Sequence, residues 1–153
     1  DIKWVNDIYI SDKKVCGILT EASFNIETGK LDYAIVGIGI NICYPDGGFP
    51  DNINDIATAV FDSNTDTVNK RSILIAHLLD YFMDYYEYFD KKSYVDEYIK
   101  RSMLIGRRIY IVNGDDKIPV TAKEIDRDCR LKVEYEDGSE KWLSSGEVSI
   151  KIK

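Results

Sequence analysis

The sequence predicts an α+β chain, mostly antiparallel sheet with helices, followed by a small β-barrel. Three observations predict it. Apolar, β-branched runs separated by turns occupy residues 8–42; apolar residues recur at helical spacing between 69 and 104; and the period returns to two from Gly106 onward.

Taken in order, Ile8-Tyr9-Ile10 and Val15 to Thr20 flank the polar turn Ser11-Asp12-Lys13-Lys14, a hairpin pattern. The stretch "GILTEASFN" leads to a second turn near Glu27-Thr28-Gly29-Lys30, and the dense run "LDYAIVGIGINI" predicts a buried central strand. Three consecutive strands joined by turns imply an antiparallel meander. The loop "CYPDGGFPDNIND" gathers prolines, glycines and Asp/Asn residues, and a short helix or turn is expected from Ile56 to Phe61. Ile73, Leu74, Leu78, Phe82, Tyr85 or Tyr86 and Phe89 predict a helix from about Asn69, capped by Thr67 or Asn69. A second helix, "SYVDEYIKRSML", is expected with Ser93 as its N-cap. Five short strands then follow, with Asn113-Gly114 and Asp137-Gly138 as hairpin turns, which is a barrel pattern. The expected domains are therefore 1–103 and 104–153.

Composition narrows the function classes. Hydrophobic residues make up 44% and charged residues 31%, so a chain of 153 residues can bury a core and disorder is not the default. The net charge of −7 resides in residues 1–103, with 10 Lys/Arg against 17 Asp/Glu, while residues 104–153 carry 10 of each. Neither part offers the basic excess of a nucleic-acid grip, and no apolar run is long enough to span a membrane. Cys16, Cys43 and Cys129 are odd in number and lack C-x-x-C spacing, which argues against a disulfide framework or zinc site and for reduced thiols in the cytoplasm. The chain opens at Asp1 directly on a strand signal, so it reads as part of something longer.

Two clusters can carry chemistry. Lys3, Asn6, Asp7 and Lys14 with Gly17 gather on the first hairpin, where two ammonium groups could clamp a phosphate; on composition alone, a solvated, charged hairpin tip is the better explanation. "GIGIN", Gly37 to Asn41, sets two glycines inside a strand, marking close strand packing or close approach of a ligand. His77, the single histidine, has no acidic partner in view and reads as a partly buried packing residue of the long helix. The aromatics of "DYFMDYYEYFD" read likewise as core or groove-lining residues.

The order "KWVNDIY…KKVCGILTE", "VGIGINI" and "DIATAV" resembles the second half of the catalytic domain of biotin protein ligases, with their Lys-Trp-Pro-Asn-Asp, Lys-x-x-Gly-Ile-Leu-x-Glu and Gly-x-Gly-x-Asn motifs. The likeness covers nearly the whole chain. It implies a biotin/lipoate ligase-like catalytic fold, lacking its N-terminal part, followed by an SH3-like barrel. It implies a two-step activity: biotin and ATP give biotinyl-adenylate and pyrophosphate, and the adenylate then acylates a lysine of the biotin carboxyl carrier protein. ATP with Mg and biotin are the implied ligands.

By the same resemblance, Lys14 neutralises the phosphate and polarises the acyl carbonyl, while Lys3 holds ATP phosphates. Asp7 binds Mg or takes the acceptor lysine's proton, and Asn6 orients the phosphate or that amine. Gly17, Ile18, Gly37, Ile38 and Gly39 form the biotin slot, Asn41 and Lys151 meet the nucleotide, and "YPDGGFPDN" is a lid over it. Trp142 and the last strand match the family's closing strands. Val5 stands where the family has proline, and the family's Gly- and Arg-rich biotin-binding loop lies upstream of Lys3. The expectation is therefore half a site, inactive alone. Homodimerisation through sheet edges is a further implication; nucleic-acid or membrane contact through this chain is not. The alternatives are a lipoate ligase-type enzyme and a non-catalytic carrier-binding module.

Overall fold

The computed structural model describes residues 1–62 and 67–150. The chain groups into two compact units, one of Asn6–Arg71 and one of Asp1–Val5 with Ser72–Lys153.

The unit Asn6–Arg71 is built on the predicted meander. Strands β2 (Asp7–Ile10) and β3 (Lys13–Phe24) are antiparallel, and β3 pairs in turn with β4 (Leu31–Ile40), with Cys16 opposite Ile40 and Ser23 opposite Tyr33. The tight turn between β2 and β3 has Ser11 and Asp12 at φ 49° and 61°. Two successive left-handed residues make the turn whose twist matches that of the flanking strands. The second turn is held by Asn25, whose Oδ1 accepts the N–H groups of Glu27 and Thr28.

A bulge interrupts the first pairing. Ile8 faces Cys16 but Tyr9 faces Lys14, which leaves Val15 as the extra residue. Regular alternation would send Val15 and Cys16 to opposite faces, yet both are buried. The bulge also re-aims Lys14, a point that matters for the site.

Strand β4 departs from expectation. It is the outermost strand of its sheet and is exposed from Leu31 to Gly39, not buried. A β-branched run encodes the capacity to be covered, but what covers it is a tertiary matter that local pattern does not contain. Beyond β4, Ala57 bridges to Lys14 and Phe61 to Cys43, while Asn54 and Ala57 donate to the carbonyls of Pro50 and Ile53. The turn expected from Ile56 thus begins at Pro50.

The other unit holds the larger core. Leu104, Ile109, Leu131, Val95, Val120, Val133 and Val148 are fully buried, and Trp4 is nearly so. Its sheet contains β5 (Arg108–Asn113), β6 (Asp116–Ile125), β7 (Leu131–Tyr135), β8 (Glu140–Leu143) and β9 (Glu147–Ile150), all antiparallel in the order β8-β7-β6-β5-β9. Gly114 and Gly138 take the positive φ that the two predicted turns demand. The barrel expectation is met as far as this five-stranded sheet. On it Trp142 lies opposite Lys132, whose Nζ sits 5.8 Å from the indole ring.

Helix α1 spans Thr67–Glu87, followed by a 3₁₀ turn at Phe89–Lys91 and α2 at Tyr94–Lys100. Three expectations are corrected here. Ser93 has helical dihedrals (φ −63°, ψ −23°) and no capping hydrogen bond from its side chain. Helix α2 ends before Ser102, because β1 (Ile2–Lys3) claims the following backbone: Ile2 donates to Arg101 and accepts from Met103. Finally, His77, Tyr81, Phe82, Tyr85, Tyr86 and Phe89 are exposed, not packing residues. Periodicity identified the helix correctly, but it does not say whether a partner covers the apolar stripe.

Near the start of the chain, the Tyr98 hydroxyl donates to the Val5 carbonyl at 3.0 Å, and burial pushes its pKa well above the ordinary value for tyrosine. An acid with a raised folded pKa supplies stability that is complete below the unfolded value of about 10 and is lost as pH rises through the folded one. Stability measured by denaturant unfolding is therefore expected to hold up to about pH 10 and to fall as pH rises further. Tyr98→Phe should flatten that fall; an unchanged slope would exclude Tyr98 as its source.

Candidate active site

The bulged hairpin and β4 enclose a groove of about 490 Å³ lined by Asn6, Asp7, Lys14, Gly17, Ile18, Leu19, Gly37, Ile38 and Gly39. Cross-strand register explains the lining. Asp7 stands opposite Gly17, Gly17 opposite Gly39, and Leu19 opposite Gly37, so these residues share one face. Eight of the sequence-predicted site residues meet here. Leu19 was missed, although its alternation with Gly17 on β3 could have found it.

The charged end of the groove is an ion pair. Lys14 Nζ lies 2.6 Å from Asp7 Oδ1, with the lysine side chain 43% and the aspartate 17% exposed. Burial pushes the Cys16 thiol up, in spite of Lys14 nearby, and burial with the Asp7 charge pushes the Tyr9 phenol up. Both neighbours are therefore neutral near pH 7, and the pair is the local charge. The lysine's exposure leaves its ammonium accessible to an incoming anion.

Two asparagines do local work. Asn6 accepts the Ile18 N–H with its carbonyl and donates its side-chain amide to the Ile18 carbonyl at 2.5 Å, extending the ladder by one residue. Its Oδ1 is the acceptor left over. Asn41 donates its amide to the Thr58 carbonyl at 3.0 Å and so pins the following loop. In that loop the Tyr44 hydroxyl meets Thr58 Oγ1 at 2.8 Å, and the Tyr44 and Phe49 rings pack at 5.4 Å.

Asn41 lines a second cavity, of about 350 Å³, with Tyr9, Val15, Cys16, Ile53, Ile56 and Ala57. Lys14, Gly17 and Gly39 line both cavities and so stand at their junction. The walls from Ile53 to Ala57 were not among the site residues expected from the sequence; they arrive because Lys14 donates its N–H to Ile56 and accepts one from Thr58. Lys3 lies in β1 of the other unit, and Lys151 falls outside the described residues.

Among the described residues no three His, Cys, Asp or Glu side chains gather to hold a metal. The groove has one carboxylate, Asp7, already held by Lys14. It does not make a magnesium site by itself. Among the described residues, too, no helix is long and apolar enough to cross a membrane.

Residues 1–41 match the Biotin/lipoate A/B protein ligase family, and residues 104–151 match the Biotin protein ligase C terminal domain. The Bifunctional ligase/repressor BirA of Bacillus spizizenii is 38% identical over 88 residues, covering 58% of this chain and 26% of that protein. BirA of Escherichia coli is 25% identical over 159 residues, covering 98% of this chain and 46% of the relative. The structure of biotin protein ligase from Aquifex aeolicus in complex with biotin and ATP superposes with a TM-score of 0.72 at 26% identity, over 99% of this chain and 62% of that one. Its apo form gives 0.75.

The meander, its groove and the first match define a ligase-fold chain of the biotin/lipoate class. The second match, together with the solved structures, narrows the class: over nearly its whole length the chain is similar to biotin protein ligases. It spans about a quarter to a half of the length of the curated relatives it matches.

Proposed function

We propose that this chain supplies the phosphate-clamping half of an ATP-dependent biotin protein ligase. The observation that carries the reading is Lys14 at the junction of two cavities, one floored by glycines and one walled by apolar residues and Asn41. That arrangement suits a mixed acyl-phosphate anhydride. Biotin lies along Gly17, Ile18, Gly37, Ile38 and Gly39, the nucleotide extends toward Asn41, and the phosphate falls beside the ammonium.

In the first step the biotin carboxylate attacks the α-phosphorus of ATP, a new P–O bond forms, and pyrophosphate leaves with the broken one. Lys14 offsets the charge that develops on the phosphoryl oxygens, and Lys3 positions the polyphosphate. In the second step the amine of a carrier-protein lysine attacks the acyl carbon and AMP leaves. In this reading Asp7 takes the amine's proton, and Asn6 Oδ1, an acceptor, suits an amine N–H better than a phosphate oxygen. Magnesium enters with ATP and screens its phosphates; no residue step here runs through it.

The loop 44–52 serves as the nucleotide lid, and Lys151 as a further nucleotide contact. Residues 1–103 act as the C-terminal part of the catalytic domain and 104–153 as the C-terminal barrel domain, a reading supported by the separate match over 104–151. The partner is a biotin carboxyl carrier protein in the cytoplasm. A second copy is accommodated at the β4 edge. Nucleic acid is not assigned to this chain, given its charge of −7. The C-terminal match favours biotin over the lipoate alternative.

The test is pyrophosphate release by the complete ligase and by this chain alone. Release from the complete protein that requires both biotin and ATP, and is absent from the isolated chain, is expected. Release driven by lipoate, or release from the isolated chain at the full rate, would overturn the reading.

A further inference from the structure

We propose that Gly17 is a positioning residue for the Lys14 ammonium, its missing side chain being the space across which the Lys14–Asp7 pair lies. This deepens the reading above and rests on it for the chemistry, but its structural part stands alone.

Three observations converge on it. A Cβ at Gly17 would stand 3.1 Å from Lys14 Nζ and 3.2 Å from Lys14 Cε, both closer than ordinary contact, and would just touch Asp7 Oδ1 at 3.4 Å. Gly17 has no positive φ to demand glycine, so backbone conformation does not explain the residue. And the bulge at Val15 breaks the alternation that would otherwise send Lys14 and Gly17 to opposite faces. Bulge and glycine act together: one turns the lysine onto the groove face, the other leaves that face bare beneath it.

The neighbouring glycines differ. A Cβ at Gly39 meets nothing nearer than the Gly17 carbonyl oxygen at 3.7 Å, and one at Gly37 nothing nearer than the Leu19 carbonyl oxygen at 3.6 Å. Only Gly17 is crowded by a catalytic side chain. Because the crowding atoms belong to the end of a flexible lysine and a carboxylate, Gly17→Ala moves the ammonium by a few tenths of an ångström without straining the core.

The experiment compares wild type, Gly17→Ala and Gly39→Ala. In Gly17→Ala the melting temperature stays within about 2 °C, while the NMR signal of the Lys14 ε-methylene shifts. In Gly39→Ala the Lys14 signal stays in place. In the complete ligase, Gly17→Ala lowers kcat for biotin-dependent ATP–pyrophosphate exchange about tenfold, with the KM for ATP little changed, as fits misplacement of a group that acts in the transition state.

An unmoved Lys14 signal, or a large loss of stability in Gly17→Ala, would overturn the positioning role, the second by making the gap a packing requirement. If the Lys14 signal shifts as expected but the wild-type ligase shows no biotin-dependent exchange, the positioning stands and the ligase reading fails. If exchange is present and Gly17→Ala leaves kcat intact, the ligase reading stands and the positioning role fails.

Discussion

Replacing Lys14 with alanine in the complete ligase is expected to lower kcat/KM for adenylate formation about 10²–10³-fold, the cost of removing one preorganised charge aimed at a developing oxyanion. The groove holds few alternatives: its lining otherwise consists of Asn6, Asp7, glycines and apolar residues. Removal also leaves the Asp7 carboxylate, 17% exposed, without its ammonium and turned toward the incoming phosphate, so the loss includes repulsion as well as missing attraction. Asp7→Asn in the Lys14→Ala background should therefore restore part of the KM for ATP but little of kcat. Arginine at position 14 is not an equivalent cation, since its planar fork presents its charge and donors differently from the ammonium that reaches Asp7 across Gly17. Steady-state pyrophosphate release measures all three variants, and full activity in Lys14→Ala would remove this hairpin from catalysis.

Trp4→Ala is expected to destabilise the protein by about 3–5 kcal/mol, the range for deleting a buried aromatic. Trp4 is 2% exposed, and its indole N–H donates to the Cys129 carbonyl at 2.8 Å. Trp4→Phe keeps most of the volume but orphans that carbonyl, for a loss of about 1–3 kcal/mol. Denaturant unfolding of both variants separates packing from hydrogen bonding. A Trp4→Ala protein as stable as wild type would mean that the indole serves a ligand, not the core. The Lys-Trp-Val-Asn-Asp stretch thus divides within five residues. Trp4 belongs to the core of one compact unit, while Asn6 and Asp7 line the groove of the other.

That division shows where sequence reasoning reached and where it stopped. The strands of the five-stranded sheet were legible almost to the residue, because turn chemistry at Asn113-Gly114 and Asp137-Gly138 is local and marks where each strand ends. Helix α1 was legible for the same reason. Its exposure was not, nor was that of β4, because an apolar stripe reports a capacity for burial and the covering partner is not encoded beside it. Ser93 resembled a cap by type and position, yet took helical dihedrals, as caps depend on where the preceding chain enters.

For the site, motif order alone brought Asn6, Asp7, Lys14 and the glycines into view, and cross-strand register puts Asp7, Gly17, Gly37 and Gly39 on one face, to which the bulge turns Lys14. Residue types and their spacing determined the elements, the hairpin turns and the set of polar groups that needed a partner, because these follow from backbone sterics and hydrogen bonding within a few residues. Only the tertiary structure decided that Lys14 crosses Gly17 to reach Asp7, that Asn6 and Asn41 spend their amides on backbone carbonyls, and that Ile53 to Ala57 wall a second cavity. Those outcomes turn on a one-residue bulge and on a loop returning from forty residues away, and such long-range placement is fixed by packing, not by local propensity.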